Sequence, residues 1–144
     1  MDTPIDTVIF DLDGALADSV GGIHLALNRL LASRGQRELT AVEVIPLMSE
    51  GGGNFITNAF ETVGAPVGDN EIRPLLHLFR DLHEPISKTH CKLYPGARQA
   101  VEWLHAQGYK LGICTNKPIS PTRKLIRDFG LETFGRPHQP VNFG

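Results

Sequence analysis

Asp11 and Asp13 flank Leu12, directly after the apolar run Thr7-Val8-Ile9-Phe10. Two carboxylates this close repel each other when both are charged, unless a cation neutralises them. Oxygen donors on the loop after a strand suit Mg²⁺, which typically takes one or two carboxylates together with water and a phosphate oxygen. Gly14 follows, and it permits a sharp backbone turn and the close approach of a ligand. A second polar pair, Thr115-Asn116, leaves another strand-like run at 110–114. Ligands of open parallel sheets bind beyond the carboxyl ends of the strands, so both pairs are expected on one edge of a sheet. A lone D-x-D is common and often does no more than cap a turn. The apolar strand before it, the glycine after it and the Thr-Asn at a second strand end together favour a site.

The elements that must hold these residues are legible in the periodicity. TVIFD is short, β-branched and apolar, which predicts a buried strand. A polar turn, LDGALADS, comes next. Val20, Ile23, Ala26, Leu27, Leu30 and Leu31 then repeat at helical spacing, with Asp18 or Ser19 as cap and Gly35 at the end. Thr40 and Glu43 form a capping-box pattern that opens a second, short helix. After Gly51-Gly52-Gly53, the residues Phe55, Ile56, Ala59, Phe60 and Val63 predict a third helix closed by Gly64. Pro74 sits near the start of a fourth, which Pro85 ends or kinks. Beyond it come a helix with Ala97, Ala100, Val101 and Leu104 inward, the strand at 110–114, and a helix with Ser120 as N-cap and Pro121 at its first position. The closing GRPHQPVNFG has no period and reads as an irregular tail. A strand, a helical block and then helix-strand-helix predict an α/β fold in which a parallel sheet carries a helical insertion.

Composition narrows the function classes. The 144 residues are 41% hydrophobic and 21% charged, with 14 basic against 16 acidic side chains and a net charge of −2. No basic excess supports nucleic-acid binding. No stretch approaches the roughly 18 uncharged apolar residues of a membrane helix, and MDTPIDT is acidic where a secretory signal is basic. Cys91 and Cys114 make no disulfide framework and are expected as free thiols. A cytoplasmic globular protein is expected, with neither nucleic acid nor membrane as partner.

VIFDLDGALADS resembles the first signature of the haloacid dehalogenase-like hydrolases, an apolar strand followed by D-x-D-G-T-L and often V/A-D-S. LGICTNKP resembles their second, a strand ending in Ser or Thr. TNKP, the upstream YPGA and GGGNFITNAFE are similar to the phosphoglycolate phosphatase branch, and the resemblance covers residues 6 to about 133. It implies a Rossmann-like parallel-sheet core made from residues 1–18 and 88–144, incomplete here, with residues 19–87 inserted as a helical cap that closes over substrate. It also implies a Mg²⁺-dependent phosphomonoester hydrolase acting on a small phosphorylated metabolite, 2-phosphoglycolate favoured. Asp11 is then the nucleophile that forms an aspartyl-phosphate, and Asp13 the general acid and base. The Asp11 carboxylate and the Asp13 main-chain carbonyl hold Mg²⁺, and Thr115 with Asn116 binds the phosphoryl oxygens. An aspartate at 13 disfavours carbon–halogen cleavage.

Two departures from the family pattern stand out. Ala15 replaces the usual Thr, a lost hydrogen bond worth on the order of 1 kcal/mol. The third signature, a lysine usually before proline, and the fourth, a G-D-x-x-x-D-type cluster, do not appear after Gly130. Lys117-Pro118 belongs to the second signature and is not taken for the missing lysine. Asp128 is expected as a surface charge. The alternative readings are therefore a catalytically incomplete fragment, or a sugar-phosphate mutase of the same superfamily. Other candidates have plainer explanations. His77, His83 and His90 lack ligand spacing. The triple glycine fails G-x-G-x-x-G because Ile56 takes the third place. Trp103 is expected in packing, and Arg123, Lys124 and Arg127 form a solvated basic face.

Overall fold

The computed structural model describes residues 4–138. Its elements run β1 (Thr7–Phe10), β2 (Ala17–Asp18), α1 (Val20–Ser33), α2 (Ala41–Leu47), α3 (Gly52–Thr62), α4 (Asp69–His90), β3 (Lys92–Leu93), α5 (Ala97–Ala106), β4 (Lys110–Cys114), α6 (Ile119–Asp128) and β5 (Gly135–His138). They fall into two compact units. One runs up to Asp18 and resumes at Lys92; the other is Ser19–Cys91.

The first unit is a three-stranded parallel sheet in the order β1-β4-β5. Thr7 pairs with Lys110 and Phe10 with Ile113, and Leu111 pairs with Gly135. Helix α5 packs on β4 and α6 on β5. Strand β5 corrects the expectation of an irregular tail at 135–138. Gly-Arg-Pro-His has little strand propensity, but the edge of β4 offers a parallel ladder, and an edge strand tolerates proline. The rest of that expected tail, residues 139–144, lies outside the described residues. The expectation that β1 is buried also needs correction. As the terminal strand of the order β1-β4-β5 it alternates between exposed and half-buried, and Ile9 is 63% exposed.

The expected polar turn after β1 contains a strand of its own. Strand β2 pairs antiparallel with β3, Ala17 opposite Leu93, and the Tyr94 N–H donates to the Leu16 carbonyl at 2.9 Å. The chain therefore leaves the sheet unit and re-enters it through two adjacent strands.

The second unit is all helical. Ile23, Leu27, Leu30 and Leu31 of α1 meet Val44 and Leu47 of α2, Phe55, Ile56, Ala59 and Phe60 of α3 and Leu75 of α4 in one buried cluster. Helices α1 and α4 approach so closely at Gly22 that a Cβ there would sit 3.3 Å from His90 Cβ. A buried asparagine ties the following loop to α1. The Leu39 N–H donates to Asn28 Oδ1 and Asn28 Nδ2 donates to the Leu39 carbonyl, each at 2.9 Å. Gly35, at φ 69°, ends α1 with its N–H on the Ala32 carbonyl, as expected. Ser19 does precede α1, but its side chain makes no cap bond. Helix α4 begins at Asp69, so Pro74 lies near its start as expected, and it passes through Pro85 to His90, so Pro85 does not end it. Buried Leu75 and Ile86 follow the two prolines and anchor the helix where backbone bonding is weakest.

The capping box of α2 forms as expected. The Thr40 N–H donates to Glu43 Oε2 at 2.8 Å, the Glu43 N–H donates to Thr40 Oγ1 at 3.4 Å, and Arg37 Nη2 donates to Glu43 Oε1 at 2.8 Å. The Arg37 guanidinium, with the Thr40 donors, pulls the Glu43 carboxyl down to about 2 from its ordinary 4.5. A carboxyl depressed on folding contributes stability that is present above its unfolded pKa and lost as pH falls through the folded one. Thr40→Ala should cost about 1 kcal/mol. The melting-temperature gap between wild type and Glu43→Gln, measured near neutrality, should close as pH falls from about 4.5 to about 2.

Candidate active site

Adjacent parallel strands put the two polar pairs together. The register Phe10 opposite Ile113 leaves Asp11 one residue, and Thr115 two residues, beyond the last β1 pair. Asp11 is exposed, and its Oδ1 accepts the Leu12 N–H at 2.7 Å. Leu12 itself is fully buried, so it anchors the loop between the two aspartates. The loop then closes on itself. The Leu12 carbonyl accepts from Leu16 at 3.1 Å and from Ala17 at 2.8 Å, and the Gly14 N–H donates to the Ala17 carbonyl at 2.8 Å. Gly14 has φ 84°, a left-handed conformation that favours glycine, and a Cβ there would meet nothing within 4 Å. These backbone bonds brace the loop. Ala15 is exposed on it, so the hydroxyl absent at that position leaves the backbone closure intact.

Thr115 is buried and its Oγ1 accepts the Lys117 N–H at 3.2 Å. Asn116 beside it is exposed. Fully buried Thr122, in the first turn of α6, donates through Oγ1 to the Pro118 carbonyl at 2.9 Å and the Lys117 carbonyl at 3.3 Å. Helix α6 starts at Ile119, so Pro121 is its third residue and Ser120 is not its cap, a correction to the expected start. The earlier start draws residues 117–118 into the Thr122 bonds.

Sequence reasoning missed Lys117 as a site residue. Its Nζ lies 3.3 Å from Asp13 Oδ2, and the two side chains are only 10% and 20% exposed. The other oxygen, Asp13 Oδ1, is buried with no hydrogen-bond partner among the described residues. The available signal was the position of a lysine two residues past Thr115, on a loop already expected to share an edge with Asp13.

Other assignments sort simply. Asp128 is on the surface and pairs with Lys124 at 3.1 Å. Neither Cys91 nor Cys114 forms a disulfide among the described residues. Trp103 is not packed away. It is 60% exposed and lines, with Ile5 and Tyr109, an open hollow of about 310 Å³ near the other ends of the strands. Among the described residues no helix is long and apolar enough to cross a membrane, and no group of three or more His, Cys, Asp or Glu stands together to hold a metal ion. Asp11 and Asp13 supply only hard oxygen donors. That set fits a hard divalent cation that keeps several waters, and it does not fit a closed tetrahedral zinc site.

The haloacid dehalogenase-like hydrolase family model matches residues 8–135. The chain belongs to that family. Among curated relatives, a phosphoglycolate phosphatase of Cereibacter sphaeroides is 34% identical over 124 residues, which cover 86% of this chain and 57% of that protein. One of Rhodospirillum rubrum is 36% identical over 128 residues, covering 86% and 53%. The chain thus spans little more than half the length of the curated relatives it matches. A solved structure of a predicted phosphoglycolate phosphatase from Haemophilus somnus superposes with a TM-score of 0.83 at 22% identity, covering 94% of this chain and 62% of that one. A Thermotoga maritima chain provisionally named a β-phosphoglucomutase superposes at 0.66 and 22% identity, covering 97% and 64%. At these identities the structures establish the parallel-sheet fold, and the sequence relatives carry the family.

Proposed function

We propose that this hydrolase site catalyses Mg²⁺-dependent hydrolysis of a phosphomonoester, with 2-phosphoglycolate the favoured substrate. The observation that carries the reading is the convergence of Asp11, Asp13 and Thr115 at the carboxyl ends of two paired parallel strands. An exposed Asp11 carboxylate attacks phosphorus and forms an aspartyl-phosphate as the alkoxide leaves. Asp13 gives its proton to that alkoxide, then takes one from the water that attacks the phosphorus and releases phosphate and free Asp11. Thr115 and Asn116 hydrogen-bond the phosphoryl oxygens. Bound Mg²⁺, held by the Asp11 carboxylate and the Asp13 carbonyl, would neutralise charge on the transferring group. The helical unit is proposed as the cap that shapes specificity. A cytoplasmic setting agrees with the two free thiols.

A second reading has an observation of its own. No third acidic residue or histidine is grouped near Asp11 and Asp13 among the described residues, and on that reading the chain would bind metal without turning over substrate. The test is phosphate release from 2-phosphoglycolate and p-nitrophenyl phosphate by the 144-residue chain, with and without Mg²⁺. Turnover with Mg²⁺ that EDTA abolishes and added Mg²⁺ restores is expected. A chain that binds Mg²⁺ calorimetrically yet releases no phosphate supports the second reading. Conversion of a sugar phosphate to its isomer without free phosphate identifies a mutase.

A further inference from the structure

We propose that Lys117 is the positioning residue that fixes the Asp13 carboxylate, an inference that rests on the role proposed above for Asp13. The contact joins two nearly buried side chains at 3.3 Å. Burying both charges carries a desolvation cost that their attraction repays only with good geometry and full hydrogen bonding. Asp13 Oδ1 has no hydrogen-bond partner among the described residues, so the bonding is incomplete. A pair so placed is a poor device for stability. It is a good device for orientation. With Oδ2 held by the ammonium and Oδ1 buried, Asp13 has one rotational setting.

The backbone around Lys117 is fixed from both sides. Its N–H donates to Thr115 Oγ1 at 3.2 Å and its carbonyl accepts from Thr122 Oγ1 at 3.3 Å. The ammonium therefore extends from an anchored loop rather than from a free surface turn. Strand β4, through Thr115 and Lys117, reaches the proton-handling residue of the β1 loop. A misplacement of about 1 Å at such a residue can cost about 10²-fold in rate.

The test reads the pair and its consequence separately. In the chain labelled with ¹³C-lysine, the signal absent from Lys117→Arg identifies Lys117 in the NMR spectrum. Asp13→Asn is expected to move that signal while leaving those of Lys110 and Lys124, whose partners are Asp6 and Asp128. In turnover of p-nitrophenyl phosphate with Mg²⁺, Lys117→Met is expected to lower kcat by about 10²-fold with KM nearly unchanged. Lys117→Arg, which keeps the charge, is expected to recover most of the loss. A Lys117 signal indifferent to Asp13→Asn overturns the proposal, and so does a folded Lys117→Met that turns over at the wild-type kcat. Should the wild-type chain release no phosphate, the phosphatase reading fails, and the NMR comparison still decides whether Lys117 holds Asp13.

Discussion

Asp11→Asn is expected to reduce phosphate release by at least about 10⁴-fold, equivalent to about 5.5 kcal/mol of barrier. A carboxamide oxygen carries no charge and is a far weaker nucleophile, so no covalent phosphoryl intermediate forms. The substitution leaves the loop intact, because the contact Asp11 makes is one its amide can keep. Asp11 Oδ1 accepts the Leu12 N–H at 2.7 Å, and an asparagine Oδ1 accepts it equally well. Fully buried Leu12 and the backbone bonds that close the loop on its carbonyl are untouched. The melting temperature should therefore be unchanged while turnover of 2-phosphoglycolate and p-nitrophenyl phosphate disappears. Residual activity above about 1% of wild type, with the melt preserved, would assign the attack to water and demote Asp11 to a metal ligand.

What the sequence discloses depends on the range of the interaction that fixes each element. Asp11, Asp13 and Gly14 are legible because a carboxylate pair and a glycine lie within four residues directly after a strand-like run. The Thr40–Glu43 box is legible because cap and acceptor lie three residues apart. Lys117 is invisible at that range. Its partner lies about a hundred residues away, and only the parallel pairing of β1 with β4 brings them within reach. Strand β5 escapes for a similar reason, since Gly135 to His138 are ordered by the ladder to β4 rather than by their own propensity. Asn28 looks like an ordinary polar break in an apolar helix face. Its pairing with both backbone groups of Leu39 appears only once the loop folds back on α1. Pro85 misleads in the opposite direction as a local stop signal, because the helix continues past it to His90.

Phe60→Ala is expected to lower stability by about 3–5 kcal/mol, read as a fall in the midpoint of urea unfolding followed by helical circular dichroism. Phe60 is 2% exposed, in a cluster that joins all four helices of the 19–91 unit. Removing its ring takes away apolar surface and leaves a hole that the rest of the cluster can only partly fill. Val42→Ala is the control. Val42 is 79% exposed on α2, and its truncation should stay within about 0.5 kcal/mol. The contrast bears on where the chain keeps its apolar stabilisation. The strand pattern of TVIF suggested burial in the sheet, yet Ile9 is 63% exposed and the large buried cluster lies wholly within residues 19–91. A net stability of typically 5–15 kcal/mol leaves little room for a loss of this size. The residues of the helical cluster are therefore the ones whose truncation should cost the 19–91 unit most.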